Sequence, residues 1–539
     1  MIAAIFFSAS ICSASATNVY VAQHSSGAAN GADCADAYAV TFFNTSSNWG
    51  SGSTQIGPGT TVHLCGTITS ELAFHASGTS GSVIELLFET GASIQITPGM
   101  DANGIINLGG YSYILIDGGA GQPCGWNTAT NLSEGTCNGT IENMLYGSSD
   151  GVCPGGTCTT QTLTGNLIQG TGSNIEIRNL NAGPSYVHTY TGNGGNDTSG
   201  TGGIFLENGS NWNIHDNKLH DGAWYVTLVP VDGGSHGNWT LTNNEMYNNS
   251  HMLAVAGNNA TTLNGLTMSG NYMHGMANWW TSSTAWHSDG IHTYGGGASI
   301  FTNITVNNNI FGGPTSAPGG QTESGQIFSE VSFSSITNYK IFNNLFTDAG
   351  GDGVIVIEQC DSGCAVYNNT ISGNGGTGIA LGATAGNVGS INVENNVVTD
   401  AWSFVQTQFA GVTFGTLNYN TYGVTISAYN GWSLYGYGGI TTLASWRSDS
   451  GGDANSTFTP TGISLNTNYT PQATWPAVNG GANLTSLCSG VLTALCYDLA
   501  GNARPSNASV KWDVGAYQYN SGTTSNSPIA PTGLTASVQ

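Results

Sequence analysis

Only six lysines and arginines occur in 539 residues, against 30 aspartates and glutamates, so the formal charge is −24. So few cations exclude counterion release on nucleic acid and electrostatic attachment to anionic lipid. A long polyanionic glycan would also be repelled unless bound metal reversed the local sign. No nucleophile elbow, phosphate loop or H-E-x-x-H string is present. The apolar stretch at residues 1–16, MIAAIFFSASICSASA, is too short for a membrane span. It ends in Ala14-Ser15-Ala16, a small-residue cleavage pattern, and is expected to be a signal peptide although no Lys or Arg precedes it.

Glycine, in contrast, is plentiful at 80 residues, and Asn, Ser and Thr are abundant. That composition suits tight turns and β structure with little helix. Disorder is the competing reading, and a hydrophobic content of 39% in regular alternation speaks against it. The one early segment with helical character is Ala32–Val40, placed to cover the open end of a sheet stack. Eleven cysteines are present, and signal cleavage would remove Cys12 and leave an even ten. Pairing between sequence neighbours is the simplest proposal: Cys34 with Cys65, Cys124 with Cys137, Cys153 with Cys158, Cys360 with Cys364, Cys488 with Cys496. Zinc is the alternative for Cys360-x-x-x-Cys364, but no second close pair or His follows at ligand spacing. An exported, oxidised protein is the better reading.

From about residue 174 a unit recurs: an apolar–x–apolar pair, polar residues, then Asn. Its final asparagines are Asn217, Asn244, Asn271, Asn309, Asn344, Asn369, Asn396 and Asn420, advancing by 27, 27, 38, 35, 25, 27 and 24 residues. A period in the twenties with period-2 alternation predicts a β-solenoid, in which stacked Asn side chains bond along the axis. The Asn column is thus structural. The two long intervals are adjacent, so their extra residues leave the stack as loops on one face.

The repeat units resemble those of secreted bacterial right-handed parallel β-helix proteins, the pectin-lyase-like fold. Asp498-Leu499-Ala500-Gly501-Asn502-Ala503-Arg504-Pro505, followed by Asp513-Val514-Gly515-Ala516-Tyr517-Gln518-Tyr519, is similar to the terminus of such proteins. The resemblance implies an all-β fold over residues 17–520, with an N-terminal cap and inserted loops on one face. It also implies polysaccharide lyase or glycoside hydrolase activity. Residues 521–539 are read as a linker and a truncated start, Ile529–Ala536, similar to a fibronectin type III module. Pectate lyases of this fold commonly use Arg or Lys as the base. Here Arg178, Lys218, Lys340, Arg447, Arg504 and Lys511 are the whole inventory, and none lies in the inserted loops.

The first insertion carries Trp279, Trp280 and Trp286, natural platforms for sugar rings or loop packing, and the second runs from Pro314 through Glu323. Between them His287-Ser288-Asp289-Gly290-Ile291-His292 combines a carboxylate with two imidazoles, a pairing that can orient a general base or simply stabilise a turn. Aligning the strands on Ile204, Ile291, Ile327 and Ile355 points these inward, with His292 and the column Glu207, Tyr294, Glu330 and Glu358 outward. Neighbouring Glu330 and Glu358 suit acid/base work or ligation of a cation such as Ca²⁺ as cofactor; a solvated acidic stripe is the bland alternative. His215, His220 and Asp221 rank second.

The expected function is cleavage of an extracellular polysaccharide, with hydrolysis of a neutral glycan fitting the charge. In that reading Glu330, Glu358, His287, Asp289 and His292 are catalytic, and Trp279, Trp280, Trp286, Tyr294 and Glu323 bind substrate. The alternatives are a Ca²⁺-dependent lyase and a non-catalytic glycan-binding surface protein. Polysaccharide is the expected partner, with no nucleic acid and no membrane span, and the chain is expected to be a secreted monomer.

Overall fold

The repeated asparagine turn sets the coil. The computed structural model describes residues 17–96, 103–119, 123–128, 130–144, 165–185, 202–276, 287–312, 323–347, 353–373, 376–383, 386–425, 429–462 and 465–519. Just before each ladder asparagine the backbone is left-handed: φ is 56° at Asp216 and Asn243, 72° at Gly270, 55° at Asn308 and Asn343, 49° at Asn368 and 60° at Asn395. Asn, Asp and Gly tolerate that region, and Tyr419 is the exception at 57°. The following asparagine turns inward. Its Nδ2 donates to Oδ1 of the next, linking Asn217, Asn244, Asn271, Asn309, Asn344, Asn369, Asn396 and Asn420 by bonds of 2.9–3.1 Å. The ladder closes on Asp453 Oδ1, 3.1 Å from Asn420 Nδ2. Every ladder asparagine is buried, so the column satisfies turn groups that water cannot reach.

Strands one coil apart pair in parallel, forming one system of 14 strands and another of 24 among the described residues. Ile, Leu and Val from successive coils fill a continuous core from Val19 to Trp446. This is a mainly β architecture, the long parallel sheets of a right-handed β-helix. At the N-terminal end the expected helix over 32–40 is a short 3₁₀ turn, Cys34–Asp36, then an extended pair, Tyr38–Ala39, and one α turn, Val40–Phe43. The Asp33 carboxylate accepts from the Ala35 and Asp36 amides at 2.8 and 2.9 Å and closes the turn early. Tyr38 and Ala39 then pair with Val21 and Ala22.

Four of the five expected disulfides are made: Cys34–Cys65, Cys124–Cys137, Cys360–Cys364 and Cys488–Cys496. Cys153 and Cys158 lie outside the described residues, as do residues 1–16 and the fibronectin-like stretch. No helix among the described residues is long and apolar enough to cross a membrane.

The C-terminal motif is a clamp. Trp512, Leu484 and Leu495 pack on Phe342, Ala365 and Tyr367 of the coils, and Val514 and Trp475 on Val397. Buried Arg504 donates to Asn343 Oδ1 and Gly515 O, both at 3.0 Å, so the cation ties the terminal segment to a coil turn.

Candidate functional site

Five parallel neighbours carry the site: β1 (Lys218–Val229), β2 (Glu245–Gly257), β3 (Ser288–Gly295), β4 (Glu323–Ser329) and β5 (Gly353–Ile357). In β1 and β2 two consecutive residues, Tyr225-Val226 and Met252-Leu253, enter the core. Gly290 and Ile291 take those places in β3, because Leu253 pairs with Ile291. The flanking outward residues therefore lie three apart and turn toward one another. On β3 they meet: His292 Nδ1 is 3.6 Å from Asp289 Oδ2.

The register stacks Trp224, His251 and Asp289 on successive strands, with the Trp224 and His251 rings 4.5 Å apart. His251 Nε2 reaches 3.4 Å from the same Asp289 oxygen, and His287 Nε2 reaches 3.0 Å. Three imidazole nitrogens thus converge on one carboxylate oxygen. The other oxygen, Oδ1, accepts the Gly325 amide at 2.9 Å. Asp289 is fully buried, His251 and His292 nearly so, and the His287 side chain keeps 31% of its exposure. Burial alone would raise the Asp289 pKa, but His251 and His287 hold it well below the carboxylate range. Burial pushes His251 down to about 4, against the pull of Asp289.

His292 Nε2 faces Glu330 Oε1 at 3.2 Å. Glu330 follows the Ser329–Ile357 pair, so it sits opposite Glu358 on the next coil. The two carboxyls differ in surroundings. Glu330 is lowered, first by the hydrogen bond with His292. Glu358 is raised, first by burial and then by the neighbouring Glu330 charge, although its Oε2 accepts the Val331 amide at 3.0 Å. Rings surround His292: Tyr294 lies 4.8 Å and Phe328 5.1 Å from its ring, and Trp224 meets Tyr294 edge-on at 5.6 Å. Farther along the same strand system Phe409 stacks on exposed Tyr435 at 5.3 Å.

His287, Asp289, His292, Tyr294, Glu330 and Glu358 are thus brought together. Glu207 is not adjacent to them, because Val229 and Ala256 occupy the coils between it and Tyr294. Glu323 pairs through its backbone with Ser288. Trp279, Trp280 and Trp286 lie outside the described residues. Sequence reading missed Trp224 and His251, although a signal exists: each follows its ladder asparagine, Asn217 or Asn244, by seven residues. The third coil hides it, since its interval exceeds the previous one by 38 − 27 = 11 residues, moving the equivalent place from 278 to Asp289.

The second-rank residues are tied by hydrogen bonds to carboxylates of their own and neighbouring coils. His215 Nδ1 meets Asp216 Oδ2 at 2.5 Å and its Nε2 meets Glu176 Oε1 at 3.2 Å. His220 bonds Asp221 at 2.7 Å and stacks on Tyr247. Burial would lower the His215 pKa, but the two carboxylates raise it to about 9. Because the folded value lies above the unfolded one of about 6.5, this stabilisation is complete below about pH 6.5 and disappears as pH rises through about 9. A His215→Gln variant is expected to lose on the order of 2–3 kcal/mol at pH 6 and little at pH 9.5, read as the difference in urea midpoints.

Residues 202–431 match the family model described as right handed beta helix region. No curated protein sequence matches the chain. Among solved structures, pectate lyase Pel9A aligns with TM-score 0.37 and 12% identity over 94% of this chain and 96% of that one. The Dettilon tailspike protein aligns with TM-score 0.32 and 13% identity, over 70% of this chain and 61% of that one. The Azotobacter vinelandii mannuronan C-5 epimerase AlgE6 A-module gives 0.22 and 12%, over 74% and 90%. By the family-model match, residues 202–431 of the chain are a right-handed β-helix region.

Proposed function

We propose that the chain is an exported enzyme that hydrolyses a neutral polysaccharide, with Glu330 and Glu358 as its carboxyl pair. The observation that carries this reading is their placement on adjacent coils of an outward face, with Glu330 held by His292, whose ring lies 4.8 Å from that of Tyr294. Adjacent coils are about 4.8 Å apart, near the ~5–5.5 Å carboxyl separation of retaining glycosidases. Glu330 then attacks the anomeric carbon as carboxylate while Glu358 gives its proton to the departing glycosidic oxygen. In the second step Glu358 takes a proton from water, whose oxygen displaces Glu330 and restores both groups. Trp224 and Tyr294 offer faces to the apolar side of sugar rings. The charge of −24 favours a neutral substrate, and the four disulfides support an oxidising compartment.

A panel of neutral and acidic polysaccharides, assayed with and without EDTA, tests the reading. New reducing ends on a neutral glycan, without the absorbance of unsaturated sugars, are expected. Unsaturated products on an acidic glycan, restored by Ca²⁺ after EDTA, would instead establish a Ca²⁺-dependent lyase. Binding without product would establish a glycan-binding protein.

A further inference from the structure

We infer that His251, His287, Asp289 and His292 form a binding site for one divalent transition metal of the zinc class. One ligand atom from each lies within 4.8 Å of all the others. The contacts of His287, His251 and His292 with Asp289 Oδ2 measure 3.0, 3.4 and 3.6 Å. A tetrahedral site with metal–ligand bonds of about 2.0–2.1 Å has edges of about 3.3 Å between its donor atoms. The observed separations bracket that edge.

A cluster of hydrogen bonds does not account for the arrangement. His287 Nε2, Asp289 Oδ2 and His292 Nδ1 are buried atoms that make no aligned hydrogen bond, although they point at one another. The remaining polar atoms of His292, His251 and Asp289, by contrast, are held as metal ligands usually are. His292 presents Nε2 to the Glu330 carboxylate at 3.2 Å, and His251 presents Nδ1 to Ser250 Oγ at 3.0 Å. Asp289 Oδ1 takes the Gly325 amide at 2.9 Å, which leaves Oδ2 for the ion. Such outer partners fix the tautomer and the ring orientation of ligating histidines.

Three imidazoles and one carboxylate suit Zn²⁺ and its first-row neighbours, whereas Ca²⁺ and Mg²⁺ take oxygen donors. Four protein ligands fill a tetrahedron, so the ion acts as a clamp across β2 and β3. With Nδ1 on the metal, His292 must carry its proton on Nε2 and donate it to Glu330. The site is therefore a positioning device beside the carboxyl pair, and its existence does not depend on the chain cleaving a glycan.

The test uses tag-free protein. Elemental analysis by plasma mass spectrometry is expected to find one transition-metal ion per chain, and the chelator-stripped protein is titrated with Co²⁺. One equivalent should give the intense visible bands of tetrahedral cobalt, displaced one for one by Zn²⁺. Glu330→Gln should bind Zn²⁺ with unchanged stoichiometry, and His287→Ala should bind more than about 100-fold more weakly, exceeding the usual effect of an outer partner. Stripped wild-type protein with native circular dichroism that takes up no Co²⁺, or shows only the weak bands of octahedral cobalt, overturns the site. His287→Ala binding as tightly as wild type does so as well. Activity enters none of these outcomes, so a silent glycan panel and an absent metal are separate results.

Discussion

Replacing Glu330 by Gln is expected to lower kcat on a cleaved glycan about 1,000-fold while KM and the folded state persist. The substitution keeps the shape and an acceptor for His292, whose Nε2 lies 3.2 Å from the carboxylate, but removes the negative charge that attacks or activates. Glu330 is half-buried and directly follows β4, where its amide donates to Thr293 O at 2.9 Å whatever the side chain, so the loss falls on chemistry rather than on folding. Glu358→Gln should behave differently. A missing acid matters most when the departing oxygen is a poor leaving group, so this variant should keep much of its rate on a substrate with an activated aryl leaving group. Glu330→Gln should not. Steady-state kinetics on both substrates separates the two roles. Equal losses for both variants on both substrates would remove the assignment.

The largest expected effect on stability is at the middle of the asparagine ladder. Asn309 is fully buried. Its Nδ2 donates to Met268 O and Asn344 Oδ1 at 3.0 Å each, and its Oδ1 accepts the Asn271 amide at 3.0 Å and Asn271 Nδ2 at 2.9 Å. Asn309→Ala strands two donors and one carbonyl without water, and each orphaned group costs about 1–3 kcal/mol. A total on the order of 4 kcal/mol is expected, seen as a fall in the urea midpoint. Asn238 belongs to a second, exposed row, bonding Asn211 Oδ1 at 3.1 Å with φ at 54°. Asn238→Gly preserves that backbone and leaves groups that water can reach, so a change within about 0.5 kcal/mol is expected.

These two rows explain why the fold was legible and the site less so. A ladder asparagine must recur once per coil beside a left-handed residue, and that demand writes itself into the chain as Asn pairs at Asn243-Asn244, Asn343-Asn344 and Asn368-Asn369. Period-2 alternation placed Ile291, Ile327 and Ile355 inward for the same reason, and they pair in register. The glutamate pair followed from that register. The histidine cluster did not, because two inward residues in a row at Met252-Leu253 break the alternation that predicts which side chains share a face. His251 joins Asp289 through a bend, and bends leave no periodic mark. The helix at Leu443–Ser450 was missed as well: Thr442 caps it, but only Trp446 turns into the core, so it has no apolar stripe to read.

The most direct measurement is glycan cleavage in ¹⁸O-labelled water, with the products analysed by mass spectrometry. Hydrolysis through Glu330 and Glu358 predicts one labelled oxygen at each new reducing end, no unsaturated sugar, and loss of the labelled product in Glu330→Gln. Unlabelled, unsaturated products, or no product from folded protein on any neutral glycan, would contradict it.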